Sequence, residues 1–228
     1  MSEPKTADSY TNRGMGKSIL NNYEGAIDDF NKAIDIDPND DSAYYCRGVA
    51  KFESNDYQGA IDDLTKAIEI NPCYALSYKI RSDAKNKLGD KVGSLNDLKK
   101  SEEIEEDMQK ISDYCQIANA KLESNDYQGA IDDSNKIIDI DPSNPAAFWT
   151  IGNAKYNLND FEGAIYALTK AIEINPSVAG VYDLRGICKG QLGDNQGALD
   201  DFNKAIDIDP NEPRFLINLG CSKAELGD

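Results

Sequence analysis

Residues 56–72 read DYQGAIDDLTKAIEINP, and the first eight of them, DYQGAIDD, return unchanged at 126–133. The last nine, LTKAIEINP at 64–72, return at 168–176, and DFNKAIDIDPN at 29–39 returns at 201–211. The three offsets are 70, 104 and 172 residues, which are two, three and five multiples of 34 with the same two residues left over. A 34-residue segment therefore repeats, with one two-residue insertion between 72 and 126, placed near Gln109 and Lys110. A period of this length means stacked supersecondary units rather than one closed core. Repeats start near Ala7, Asp41, Ala75, Ile111, Pro145 and Ala179, and a partial repeat begins at Pro213.

Within each repeat, an apolar-periodic stretch of about 14 residues ends at Gly-Asp or Asn-Asp, and a second opens at an aromatic-x-Gly-Ala-Ile step. Pro38, Pro72, Pro142, Pro176 and Pro210 close the second stretch. Two amphipathic helices per repeat follow, with Pro stopping the second. Gly14, Gly48, Gly152, Gly186 and Gly220 share one register on the first helix, and Ala26, Ala60, Ala130, Ala164 and Ala198 share one on the second. A helical Gly costs about 1 kcal/mol against Ala, so a recurring one needs a packing reason. Close approach of the two helix backbones is the expectation. The third repeat departs from the pattern, with Ser82, Ser94, Ser101 and Glu106 where Gly, Ala, Ala and Pro recur elsewhere. Lacking the Pro, its second helix is expected to run on through 100–112 and to alter the superhelical pitch there.

This pattern resembles the tetratricopeptide repeat, whose 34 residues carry an aromatic at position 4, Gly at 8, Ala at 20, an apolar residue at 24, Ala at 27 and Pro at 32. The second repeat matches with Tyr44, Gly48, Ala60, Leu64, Ala67 and Pro72, the sixth with Tyr182, Gly186, Ala198, Phe202, Ala205 and Pro210. The resemblance covers about 7–228. It implies an all-α fold, a right-handed α-solenoid superhelix of stacked antiparallel helix pairs. Six repeats (7–40, 41–74, 75–110, 111–144, 145–178, 179–212) and a capping or truncated helix at 213–228 would form a single solenoid domain spanning 1–228. It also implies a protein–protein interaction scaffold that holds a peptide or protein segment in a concave groove lined by positions 2, 5, 9, 12 and 13 of the first helices.

Those positions assign a groove. The second repeat contributes Tyr45, Val49 and Phe52, the third Lys79, Asp83, Asn86 and Lys87, the fourth Cys115, Asn119, Leu122 and Glu123, and the fifth Trp149, Asn153, Tyr156 and Asn157; Glu225 falls at such a position in the last helix. Trp149 follows the core-position Phe148, so it points about 100° away from it. Two readings of Trp149 and Tyr156 stay open, partner contact and packing between repeats. A variant of the family grips C-terminal carboxylates with Lys and Asn at positions 5 and 9, Asn at 6 of the next repeat, and Lys and Arg at 2 and 6 of the third. Here Lys79 is followed by Asp83, Gln116, Ala146 and Thr150, so no such clamp is expected.

Lys recurs at position 11 (Lys17, Lys51, Lys85, Lys121, Lys155, Lys189, Lys223), one turn after Arg13, Arg47, Arg81 and Arg185. The stems are expected to cover the helix seam while the heads reach toward the Asp-Asp pairs of the second helices. Those pairs, among them Asp28-Asp29, Asp62-Asp63, Asp132-Asp133 and Asp200-Asp201, read as a solvated outer face.

With 41 acidic against 24 basic residues, the net charge is −17. That repels nucleic acid and anionic membranes and favours a neutral to mildly basic partner with apolar anchors. The chain has no histidine, the commonest catalytic base, and its five cysteines are odd in number with no CxxC pair, which reads as free thiols in a reducing compartment. Asp35-x-Asp37-x-Asn39 imitates the start of a calcium loop, but Asp40 and Cys46 stand where that loop needs Gly and Glu. The expectation is a cytoplasmic binding protein without catalytic residues, cofactor or metal. Two alternatives remain: the recruitment arm of a larger enzyme or regulator truncated at Asp228, or a self-assembling structural repeat protein that forms homo-oligomers.

Overall fold

The computed structural model describes residues 5–226, with side chains described as far as Ala224. Among them are twelve α-helices and no strand: α1 (Ala7–Ile19), α2 (Tyr23–Ile36), α3 (Asp41–Glu53), α4 (Tyr57–Ile70), α5 (Ala75–Lys87), α6 (Lys91–Glu123), α7 (Tyr127–Ile140), α8 (Pro145–Asn157), α9 (Phe161–Ile174), α10 (Ala179–Gln191), α11 (Asn195–Ile208) and α12 (Pro213–Leu226). The chain divides into two compact units, Met1–Asp107 and Met108–Asp228. In the amino-terminal unit α1 to α5 pack in order, with α1 against α3 and α3 against α5; in the carboxy-terminal unit α7 to α12 do the same, with α8 against α10 and α10 against α12. Each unit is thus a short α-solenoid in which first helices neighbour first helices.

The expected long helix is present. α6 has 33 residues and merges the second helix of the third repeat with the first helix of the fourth. Where other repeats have Pro, the run SEEIEEDMQK at 101–110 offers helix formers throughout. The inserted pair Gln109-Lys110 lies inside it.

Short turns set the hairpins. Asn21, Asn55, Asn125 and Asn159, with Gly89 and Gly193, take positive φ between 58° and 87°, a conformation Asn and Gly adopt most readily. The next residue caps the second helix: the Asn22, Asp56, Asp126, Asp160 and Asp194 side chains each accept from the backbone N–H three residues on. This satisfies one of the donors a helix start leaves orphaned.

The recurring glycine of the first helix has a different cause from the one expected. The large apolar side chain at position 24 of the second helix lies over it and comes closer than any backbone atom, the Ala60 carbonyl at 3.4 Å from a Cβ on Gly48 being the one backbone neighbour, while Gly220 of the last helix has nothing within 4 Å. A Cβ on Gly14, Gly48, Gly152 or Gly186 would come within 2.6 to 2.8 Å of Phe30, Leu64, Leu168 or Phe202. All four partners are buried. The third repeat trades this for polar contact, Ser82 Oγ donating to the Ser94 carbonyl at 2.8 Å.

The acidic pairs also need correction. Only the first Asp of each pair faces solvent; the second is buried, Asp29, Asp63, Asp133 and Asp201 being at most 4% exposed, and Asp97, which follows Asn96, is 5% exposed. Lys121 and Lys136 hold Asp133, and the Arg and Lys of its own repeat hold each of the other four. Arg47 gives Nε and Nη2 to Asp63 at 2.8 and 2.6 Å, and Lys51 adds its ammonium at 2.8 Å. Arg13 with Lys17, Arg81 with Lys85 and Arg185 with Lys189 repeat the arrangement on Asp29, Asp97 and Asp201. The remaining guanidinium nitrogen of Arg47, Arg81 and Arg185 reaches back to Asn31, Thr65 and Thr169 on the preceding second helix. The same Arg stacks on the aromatic three residues before it, as Arg47 does on Tyr44 at 5.4 Å. A planar fork suits bidentate binding and stacking together. The fifth repeat has Ile151 and Ala167 at these places and packs them apolar.

Candidate functional site

The seam consumes the Arg, Lys and buried Asp of the first, second, third and sixth repeats, and in the fourth and fifth it engages Lys121 with Asp133 and Lys155 with Asp160, so the residues left facing outward from the first helices define the chemistry available to a partner. In the carboxy-terminal unit, a cavity of about 470 Å³ is lined by Asn119, Leu122 and Glu123 of α6, Asn125 and Tyr127 at the following turn, and Trp149, Asn153 and Asn157 of α8. Six predicted groove residues, Asn119, Leu122, Glu123, Trp149, Asn153 and Asn157, therefore meet in one place. Asn157 Nδ2 donates to the Asn153 carbonyl and to its Oδ1 at 2.8 and 2.9 Å, and Tyr127 donates to Asn125. The Asn119 and Glu123 side chains are exposed and make no hydrogen bond or ion pair among the described residues.

Trp149 belongs to a second cavity as well, of about 260 Å³, walled by Pro145, Ala146, Ala171, Val178 and Val181 with Asn175. The indole packs against the cluster that holds Val181 and Leu184 and lines both the polar hollow and the apolar one. Tyr156 turns inward, its ring 6.0 Å from Phe161 over the Ala164–Leu168 core, and does not line the polar cavity.

In the amino-terminal unit, Tyr45 and Val49 border a cavity of about 220 Å³ with Met15, Ser18, Ile19, Phe30 and Cys46. Tyr45 meets Tyr74 edge-on at 4.9 Å. Burial first, then the neighbouring Tyr74, pushes the Tyr45 phenol up to about 12, and burial pushes the Cys46 thiol up to about 11, so neither ionises near neutral pH. Phe52 is half-buried against Tyr57 at 5.6 Å, while Lys79, Asp83 and Asn86 stand exposed on α5. Met15 and Ile19 hold positions 9 and 13 of the first repeat, a signal the sequence carried but the second-to-fifth-repeat assignment left out. Val178 and Val181 lie outside the five groove positions and gave none. The Glu225 side chain lies outside those described.

Among the described residues, no group of three or more His, Cys, Asp or Glu is placed to hold a metal ion, and no helix is long and apolar enough to cross a membrane.

Family models agree with this architecture. One described as TPR repeat matches residues 19–55, one described as Tetratricopeptide repeat matches 42–72, and a second of that description matches 115–179 and 150–213. The chain belongs to the tetratricopeptide-repeat family. The internal stretch these models leave unmatched, 73–114, holds the irregular third repeat and most of α6. A search of curated proteins found no match to this tetratricopeptide-repeat chain. Among solved structures it is similar to the first tetratricopeptide domain of Spaghetti (RPAP3), bound to the HSP90 peptide SRMEEVD, at 25% identity and TM-score 0.51, covering 53% of this chain and 95% of that one. It is also similar to the first such domain of human RPAP3 (24%, TM-score 0.50, covering 51% and 92%) and to that of Arabidopsis OM64 (19%, TM-score 0.51, covering 52% and 98%). Each of these whole domains corresponds to about half of the present chain.

Proposed function

We propose that this tetratricopeptide-repeat protein is a non-catalytic scaffold that binds an extended peptide or protein segment across α6 and α8 of its carboxy-terminal unit. The observation that carries the reading is the meeting of Asn119, Asn153 and Trp149 on one cavity. A carboxamide offers both a donor and an acceptor, so it can answer the N–H and C=O of an extended backbone whatever its side chains. A tryptophan beside it supplies large contact area at small entropy cost. The RPAP3 domain bound to an HSP90 peptide supports a peptide as the kind of ligand. The clamp residues are not in this chain at the corresponding positions, so the ligand is an internal segment rather than a free C-terminus. Glu123 at the rim and the net charge of −17 favour a neutral to mildly basic segment with an apolar anchor beside Trp149. With free cysteines at all five positions, the setting we infer is the reducing cytoplasm.

The test is selection of linear peptides from a random display library against the full chain, followed by anisotropy of labelled peptides. Truncation of a central hot spot weakens binding by roughly tenfold or more, so Asn153→Ala and Trp149→Ala should each do so. Peptides that bind both variants as well as the wild type would overturn the reading.

A further inference from the structure

Where one repeat follows another, the second helix packs on the next first helix: α2 on α3, α4 on α5, α7 on α8, α9 on α10 and α11 on α12. Position 24 of the second helix then meets positions 6 and 10 of the first helix that follows. Phe30 packs with Cys46 and Ala50, and Leu64 with Ile80 and Ala84. Phe30, Leu64, Ala50 and Ala84 are at most 1% exposed. Between the third and fourth repeats both partners of this contact lie on α6, and both are bare. Leu98 at position 24 is 38% exposed, Leu95 at position 21 is 66% exposed, and Ala120 at position 10 is exposed. None of the three is at a groove position.

The inserted pair Gln109-Lys110 decides where these half-faces point. Residues that meet at an ordinary junction, such as Leu64 and Ile80, are 16 apart; their counterparts here, Leu98 and Gln116, are 18 apart. On a continuous helix 16 residues would leave the two half-faces about 160° apart, whereas 18 residues make five full turns. Leu95, Leu98 and Glu102 therefore stand in line with Asp113, Gln116 and Ala120, on one side of α6. The same helix holds Leu98 and Gln116 about 27 Å apart along its axis, so the chain cannot close this junction on itself. A second copy can. Laid antiparallel, as helices are at every other junction, two α6 helices set Leu98 of each on Gln116 and Ala120 of the other. The contact is made twice about a two-fold axis, the self-complementary arrangement of a closed dimer, and exchanging an identical element between copies is a low-cost way to reach it.

We infer that the aligned face of α6, from Leu95 to Ala120, is a dimerisation surface whose occupant is α6 of a second copy of this chain, antiparallel to the first. The contact that the merged helix leaves open within one chain is closed between two. Glu102, Glu105 and Asp113 are exposed in the middle of the face and repel across the two-fold axis. Salt screens that repulsion, so the dimer tightens as ionic strength rises.

The test is sedimentation velocity of the full chain over a range of concentrations, in low and high salt. A monomer–dimer equilibrium that shifts toward dimer with salt is expected. Leu95→Glu and Ala120→Arg, both at exposed positions, should each weaken it by roughly tenfold or more, the cost of a central hot spot; circular dichroism checks their fold. An equimolar mixture of the two variants should recover dimer. In the mixed pair one junction is wild type, and the other sets the introduced carboxylate against the introduced guanidinium. A chain that stays monomeric at every concentration and salt overturns the inference, as does a dimer that neither variant weakens. A mixture no more associated than its components overturns the reciprocal antiparallel pairing, and open-ended assemblies larger than a dimer overturn the closed two-fold contact.

Discussion

Replacing Asp63 by Ala removes the acceptor that Arg47 and Lys51 share while leaving both cations in the seam. The carboxylate is 4% exposed and the two cationic side chains 16% and 21%. Removing one partner of a fully buried pair costs about 3–5 kcal/mol, mostly through the charge left behind. Here the cations keep some solvent, and Arg47 retains its bond to Asn31 at 2.6 Å and its stack on Tyr44. The expected loss is therefore about 2–3 kcal/mol, or roughly 4–12 °C of thermal midpoint for a protein of this size. Asp62→Ala, one residue earlier and exposed, should change stability by less than about 0.5 kcal/mol. Replacing the three together, Arg47→Leu, Lys51→Met and Asp63→Leu, should recover most of the loss, as apolar replacement of buried ion groups does and as the fifth repeat already does with Ile151 and Ala167. Urea and thermal unfolding followed by circular dichroism measure all three. Equal stability of Asp63→Ala and Asp62→Ala would refute the assignment of the ion cluster as a structural element of the seam.

Gly48→Ala should destabilise by about 1–2 kcal/mol, since its Cβ would meet Leu64 at 2.8 Å and overpacking outweighs the helix-propensity gain. Gly16→Ala, with nothing within 4 Å, should stabilise by about 0.5–1 kcal/mol, and the two unfolding midpoints should move in opposite directions. Asp126→Ala, which removes the cap on the Gly129 amide at 3.0 Å, should cost about 1 kcal/mol by the same measurement. Hydrogen bonds from Arg13, opposed by burial and reinforced by Lys17, hold the Asp29 carboxyl below the ordinary range, and Lys121 does so for Asp133. A lowered folded pKa gives stability that is complete above the ordinary carboxylate value, about 3.9, and fades as pH falls through the depressed values. The thermal midpoint should therefore drop on acidification below about pH 4, and less steeply in Asp29→Asn and Asp133→Asn.

The repeats, the helix pairs and the continued helix of the third repeat were legible because each rests on local chemistry. Pro38 and its equivalents stop helices wherever they stand, and Glu106 does not. The Asp pairs were misread because a sequence shows two identical acids side by side, whereas the helix turns them about 100° apart, one to solvent and one to Arg and Lys twelve to sixteen residues earlier. The offset from Arg47 to Asp63 recurs at Arg13, Arg81 and Arg185 and would have disclosed the pairing. Of the groove, Asn119, Leu122, Glu123, Trp149, Asn153 and Asn157 came together because first-helix positions decide it. The apolar hollow beyond Trp149 did not show, since Val178 belongs to an inter-repeat turn whose path depends on packing.

The shared carboxylate has a bearing on how such a chain can change over generations. Arg47, Lys51 and Asp63 all lie within a single 34-residue repeat, so duplicating or deleting that segment carries the whole charge set with it and strands no ion in the interior. Only the third guanidinium contact crosses a repeat boundary, and there an Asn or a Thr serves equally well as acceptor. Recombination between near-identical stretches such as 56–63 and 126–133 would therefore yield chains of different length whose every seam is already electrically complete.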